Sequence, residues 1–166
     1  MDEPTLSIHE TLLRLLTDNC TRFHVIRHES AGRSEEVAEA RGTVVGQGAK
    51  ALVCEIRGSE ARARWVLAVL PADRKLDRER LAEFMGGDKA KLVDTSMARK
   101  LTGCEIGAIP PFSFHPQLHL VVDAELIERY DTIAFNAGRL DVSVLLNSQD
   151  FIALARPSLT RIGCTT

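Results

Sequence analysis

Apolar residues at positions 8, 12, 15 and 16 recur at helical spacing behind Ser7, whose hydroxyl suits an N-cap, and predict a helix to about residue 19. The alternation then changes. Residues 22–27 read as a strand, 28–32 as a turn, and Ser34 as the cap of a short acidic helix that stops near Gly42. A bend over 46–48 feeds a strand at 49–56. A turn at 57–60 returns the chain as a second strand at 63–70, so this pair reads as a hairpin.

Asp77 opens a helix to about residue 85, closed by Gly86-Gly87, and a shorter helix covers 96–101 before Gly103. A Gly- and Pro-rich loop runs to Pro116, with nothing in its pattern that looks like core. Strands follow at 118–122, 132–136 and 142–146, the last two joined by Ala137-Gly138-Arg139, with a helical turn at 123–129. Asn147 caps a final helix to 155, with Asp150 as its capping-box partner. Interspersed helices and strands with a hairpin predict a mixed α/β (α+β) fold, and the absence of repeats and linkers predicts one domain over 1–166.

One residue breaks the pattern. Lys50 stands inside the apolar run Gly46-Gln47-Gly48-Ala49-Lys50-Ala51-Leu52-Val53-Cys54. Burying an unpaired ammonium is costly. Such a lysine either guards an exposed sheet edge against aggregation or faces a pocket for something anionic or carbonyl-bearing. The stiff segment Thr102-Gly103-Cys104-Glu105-Ile106-Gly107-Ala108-Ile109-Pro110-Pro111-Phe112 is the natural opposite wall.

Composition narrows the options. The 166 residues are 45% hydrophobic, 27% charged and only 5% aromatic, so the core is aliphatic. A formal net charge of -2 argues against broad binding along a nucleic-acid backbone, DNA included, and leaves room for recognition of a nucleic-acid end. No apolar run reaches the roughly 20 residues of a membrane span. The acidic start Met1-Asp2-Glu3-Pro4 lacks a signal-peptide core. Cys20, Cys54, Cys104 and Cys164 form no C-x-x-C pair, which fits a reduced cytoplasmic protein.

The chemistry that residue patterns usually advertise is thin. His24/His28 and His115/His119 are spaced by four but fall in strand and loop, so no metal site is expected. There is no Gly-x-Ser-x-Gly elbow. Gly46-Gln47-Gly48 precedes a strand rather than a helix and is a hinge rather than a nucleotide cradle. Cys54 reads as packing. Cys104, expected to be partly exposed, would need a base to serve as a nucleophile. Basic groups at Arg57/Arg62/Arg64, Arg74/Lys75/Arg78/Arg80 and Lys89/Lys91 read as solvated faces unless the fold gathers them into a rim for phosphates.

Taken in order, Gly48-Ala49-Lys50-Ala51-Leu52-Val53, Gly107-Ala108-Ile109-Pro110-Pro111-Phe112 and Asn136-Ala137-Gly138 resemble the signature segments of the YbaK/ProX-type aminoacyl-tRNA deacylases, relatives of the editing domain of bacterial prolyl-tRNA synthetase. The resemblance spans about 28–154. It implies a curved, partly barrel-like mixed sheet flanked by helices, and hydrolysis of the ester that joins a wrongly attached amino acid to the tRNA acceptor end. It implies no cofactor and no metal. Lys50 matches the family's strand lysine, Gly107 to Pro111 its Gly-x-x-x-Pro loop and Gly138 its late glycine. Pro110 stands where many relatives have Ser.

On this reading Lys50 and the backbone of Gly107 and Ala108 are catalytic, while His28, Ile109, Pro110, Pro111, Asn136 and Gly138 bind substrate. A pocket framed by Ala108, Ile109, Ala137 and Gly138 would be small and suit Ser or Thr, or else Ala or Cys, with His28, Ser113 or Asn136 bonding a hydroxyl. Further contact with an aminoacyl-tRNA synthetase or an elongation factor is left open. The alternatives are a non-catalytic module that binds tRNA ends or synthetases, and a hydrolase with a cysteine nucleophile.

Overall fold

The computed structural model describes residues 6–30 and 33–165. The acidic N-terminal stretch and the Ala31-Gly32 end of the expected turn lie outside them. The chain alternates between helices and strands as its patterning requires. Helix α1 (Ile8–Asp18) begins where Ser7 Oγ accepts the Glu10 amide and seals the core with Leu12 and Leu16. Strand β1 (Phe23–Arg27) leads to α2 (Ser34–Arg41). Here Arg33, not Ser34, holds the N-cap position, and it makes no side-chain cap bond. Helix α2 stops at Gly42, whose φ of 71° is cheap only for glycine.

A single 3-10 turn at Val45–Gln47 then delivers the chain into β2 (Ala49–Arg57), which pairs antiparallel with β3 (Trp65–Pro71). Next come β4 (Lys75–Leu76), α3 (Arg78–Phe84), β5 (Lys89–Leu92) and α4 (Thr95–Thr102). After the Gly/Pro loop the order is β6 (Leu118–Asp123), α5 (Ala124–Arg129), β7 (Thr132–Arg139), β8 (Val142–Asn147) and α6 (Ser148–Ala155). Strands β9 (Ser158–Thr160) and β10 (Gly163–Cys164) close the chain.

The strands form a five-stranded mixed sheet ordered β5-β2-β3-β6-β9, a three-stranded antiparallel sheet ordered β1-β8-β7, and a β10-β4 pair. The β3/β6 and β6/β9 pairs are parallel and the rest antiparallel. The five-stranded sheet ends at β5 and β9, so the expected barrel character is limited. The two larger sheets meet through a bridge between Gly48 and Ala134 without closing.

Alternation divides the core in two. Ala49 and Val53 of β2 and Leu67 and Val69 of β3 face the three-stranded sheet, α1 and α6, sharing one cluster with Ile133, Phe135, Val144 and Phe151. Cys54, Ile56, Val66, Ala68 and Leu70 face the other way, onto Leu81 and Met85 at α3. Lys50 belongs by parity to this second face, at the end of the ladder opposite Leu70.

The Gly/Pro loop is where the pattern misleads most. Residues 108–112 are buried. The Phe112 ring meets Phe151 edge-on at 5.3 Å and Phe135 at 6.0 Å between centroids. Two further expectations are corrected. Strand β7 runs on to Arg139 with a bulge between Asn136 and Arg139, so the hairpin turns at Leu140-Asp141 rather than at Ala137-Gly138-Arg139. Asp150 does not complete a capping box. Its carboxylate accepts from the Arg22 backbone and guanidinium instead, tying β1 to α6.

Candidate active site

A cavity of about 240 Å³ opens where the N-terminal end of β2, one face of α2 along its whole length and the Gly107 loop converge. Its apolar walls include Val37, Ala49, Ala51, Ala72 and Ile109. Its polar side chains are Arg33, Ser34, Arg41, Lys50 and Asn136, with no carboxylate among the lining residues. This is smaller than the ~300–1,000 Å³ of sites that engulf whole small molecules. Its scale suits the tip of a larger ligand.

Each polar group is positioned by a different element. Lys50 occupies the last pairs of the β2/β3 ladder, so its methylene stem lies along the sheet while the amine passes the end of β3 and donates to the Arg74 carbonyl. Two ammonium hydrogens remain for other partners. Partial burial holds the amine below lysine's usual pKa, and the Asp73 carboxylate partly opposes that shift.

Asp73 is gripped in turn by both terminal nitrogens of Arg129 (3.0 and 2.8 Å), which holds its carboxyl below the usual range. This cluster closes on Gly46. A Cβ there would lie 2.5 Å from the Tyr130 hydroxyl and 2.6 Å from the Asp73 carboxylate, so only glycine lets the turn before β2 seat against it.

Asn136 organises the opposite wall. It faces Ser143 across the hairpin just before the bulge. Its Nδ2 donates to the Gly107 carbonyl at 2.7 Å, and its Oδ1 accepts from Arg41 Nη2 at 3.0 Å and from the Ser143 hydroxyl at 3.1 Å. The bulge makes a second attachment, from the Gly138 amide to the Ala108 carbonyl at 2.9 Å. The loop is thus pinned twice to β7. Gly107 takes a φ of 92°, open to glycine and strained for other residues, and its amide has no partner among the described residues.

Of the residues singled out in the sequence, Lys50, Gly107, Ile109 and Asn136 line the cavity together. Ala108 does not. It is buried, and its amide and carbonyl are taken by the Glu105 carbonyl and the Gly138 amide, so its backbone is structural. Pro110 and Pro111 are buried behind the wall. Gly138, at φ 81°, packs on the start of α1, where a Cβ would lie 2.9 Å from the His9 amide nitrogen. Ala137 is fully buried beside it. The cavity is therefore framed by Ala49, Ala51, Ala72 and Ile109 rather than by Ala108, Ala137 and Gly138.

His28 sits one step back. Its Nε2 lies 2.7 Å from Ser143 Oγ and its Nδ1 2.8 Å from the Glu29 carbonyl, so it braces Ser143 rather than facing the cavity. Ser113 donates to the Leu118 carbonyl and is likewise committed. Of the three residues offered for a substrate hydroxyl, Asn136 is the one in the lining.

The sequence reading missed Arg41 and Ser143. Arg41 lies four residues after buried Val37, at helical spacing, which was the one available signal. It donates from Nε to Ser143 at 2.8 Å. Burial drops its guanidinium to about 10, and it makes no ion pair among the described residues.

Neither cysteine candidate is activated. Cys54 is buried and pushed up to about 12. Cys104 is 4% exposed rather than partly open, and burial raises it to about 11. The basic groups stay apart: Arg57 and Arg64 pair with Glu55 at the far end of β2, while Arg74 and Lys75 flank Lys50. Among the described residues no cluster of three or more His, Cys, Asp or Glu is placed to hold a metal ion, and no helix is long and apolar enough to cross a membrane.

The site is a small, carboxylate-free, cation-bearing cavity beside a glycine loop, on a mixed α+β frame. Residues 28–154 match the model of the aminoacyl-tRNA editing domain, and the chain belongs to that family. It is 50% identical over 157 residues, 95% of this chain and 93% of the relative, to the Multifunctional Ser/Thr-tRNA deacylase ProXp-y of Escherichia coli (strain K12). Among solved structures, one described as a candidate trans-editing enzyme for prolyl tRNA synthetase superposes with a TM-score of 0.76 at 20% identity, over 97% of this chain and 99% of that one. A scaffold used for epitope backbone grafting gives 0.81 at 22% identity, over 98% of this chain and 100% of that one. These two likenesses establish the fold.

Proposed function

We propose that this chain is a trans-editing aminoacyl-tRNA deacylase that removes Ser or Thr from mischarged tRNA. The observation that carries the proposal is the meeting of Lys50, Asn136 and Gly107, whose amide has no partner among the described residues, around one cavity of about 240 Å³. Half-identity to a Ser/Thr-tRNA deacylase over nearly the whole of both chains supports it.

The chemistry asks little of the protein. An aminoacyl ester is already activated, so the enzyme must hold it, place one water and stabilise the charge that develops on the carbonyl oxygen. Lys50 serves as a point charge for the terminal nucleotide's phosphate or the ester. The Gly107 amide is a fixed donor for the attacking water or the substrate. The ribose hydroxyl next to the ester relays the proton from water to the leaving oxygen, which accounts for a site without a side-chain base.

Selectivity follows from the walls. Alanine methyls at 49, 51 and 72 admit a short side chain, and the second Nδ2 hydrogen of Asn136 is available for its hydroxyl. Synthetases separate near-isosteric small amino acids by only ~10²-fold per group, so a second hydrolytic sieve is needed.

A deacylation panel tests this reading. Ser-, Thr-, Ala- and Cys-charged tRNAs, matched and mismatched, are incubated with wild type and with Lys50→Ala. Fast loss of Ser and Thr from non-cognate tRNA, absent in Lys50→Ala, is expected. Binding with an unchanged spontaneous ester lifetime would instead mark a non-catalytic tRNA-end module. A substrate whose terminal ribose carries hydrogen in place of the neighbouring hydroxyl should bind and not turn over; full turnover excludes the relay. Adding a synthetase or elongation factor to the assay tests for either as a further partner.

A further inference from the structure

Arg41 has no counterpart in the sequence motifs, and the structure gives it an unusual position. A guanidinium carries five N–H donors. Nε is spent on Ser143 and one Nη2 hydrogen on Asn136, both neutral partners. The Nη1 end lies beside Gly48, where an ideal Cβ would stand 3.5 Å from it, at the root of the strand that carries Lys50. Three donors of this fixed, half-buried, cavity-lining cation are therefore left without a partner among the described residues.

A merely structural arginine would be expected to meet a carboxylate, because a buried cation without one is costly. The cavity offers none, and burial lowers the Arg41 guanidinium to about 10, which leaves it cationic around neutrality. The cost is retained where a ligand supplies the missing charge.

We propose that Arg41 contacts substrate at the ester carbonyl and holds the negative charge that forms there. This rests on the deacylase reading above. The water oxygen bonds to the carbonyl carbon, and the π pair moves onto the carbonyl oxygen, facing the free Nη hydrogens. When that pair re-forms the C=O bond, the ribose oxygen leaves with the bonding pair and takes the proton released by the water. Free amino acid and tRNA with an intact terminal ribose result.

The two buried-side cations thus divide the work. Lys50, tied to the carbonyl beyond β3, lies toward the Asp73–Lys75 lip where the polymer enters. Arg41, tied to Asn136 and Ser143, sits on the wall that also fixes Gly107.

The test compares wild type, Arg41→Gln, Arg41→Lys and Arg41→Ala on Ser-charged non-cognate tRNA, separating kcat from KM and recording Tm. Arg41→Gln, which keeps an amide donor and removes the charge, should lose about 10²–10³-fold in kcat with KM nearly unchanged. Arg41→Lys should fall between, having charge without the fork. Millimolar guanidinium, below denaturing levels, should partly restore Arg41→Ala.

An unchanged kcat in Arg41→Gln, or a loss confined to KM, overturns the assignment. So does absence of rescue in an Arg41→Ala protein that melts like wild type. If Arg41→Ala does not fold, the Gln and Lys variants decide alone. A wild-type protein that fails to hydrolyse the ester sinks the deacylase reading itself, whereas active wild type with equally active Arg41→Gln sinks only this role.

Discussion

Lys50 is at once a strand residue and part of the cavity wall. Its stem follows the sheet and its amine escapes at the ladder's end, so it need not disturb the apolar face it shares with Leu52 and Cys54. Lys50→Ala is expected to abolish deacylation while Tm stays close to wild type, because the residue is half-buried and its amine bonds one carbonyl. In its proposed role the amine acts only when protonated, and burial lowers its pKa. Enzymatic rate above the spontaneous background should therefore fall on the alkaline side as Lys50, below its ordinary range, and Arg41, at about 10, lose their charge; pH profiles of wild type and Arg41→Gln check the limb. Thiol chemistry offers a negative control. With Cys54 near 12 and Cys104 near 11, neither is ionised around neutrality, and iodoacetamide treatment should leave the deacylation rate intact.

Among the elements, the β7 bulge does the most positioning. Gly138 combines a positive φ with backbone of α1 at van der Waals limits, and the His9 ring bonds the neighbouring Ala137 carbonyl at 2.8 Å. Gly138→Ala should cost about 1–3 kcal/mol from backbone strain, with the contact adding to it. The readout is a lowered Tm. Residual activity below that Tm should persist, since Gly138 lies outside the cavity.

Local signals in the chain were reliable where the physics is local. Ser7, Asp77 and Asn147 cap the helices they were expected to cap, and Gly42 and Gly103 end theirs in left-handed backbone. Strands β4, β5, β9 and β10 went unseen because two to four residues, some of them lysines, carry no readable alternation. Burial of 108–112 was equally hidden, for a Gly/Pro run looks like surface until Phe112 finds Phe151.

At the scale of the molecule, Lys50 and the Gly107 loop were legible through their residue types, whereas Arg41 became visible only when α2 was laid across β7 and β8. Net charge argues that the protein grips an end rather than a length of RNA. With Arg33, Lys50 and the lip residue Lys75 as the cations open to phosphates, log kcat/KM against log salt should have a slope no steeper than about −2. A steeper slope measured between low and physiological salt would indicate broader backbone contact. Stability should fail on the acid side. Asp73 and Asp150 titrate below their unfolded values because Arg129 and Arg22 bind the carboxylates. Their contribution is complete above pH ~4 and is lost as pH drops through the lower folded values, so urea midpoints should decline below pH ~4.

The size-setting walls hang on scaffolding that is fixed from elsewhere. Ala49 and Ala51 are carried by a strand clamped at Gly46 by the Asp73–Arg129 cluster, and Ile109 by a loop fastened twice to β7. On the proposed reading, adding or trimming a methyl at one of these walls should alter which amino acid fits while both cations keep their anchors. A lineage built on this frame can change its diet by single substitutions and keep its chemistry.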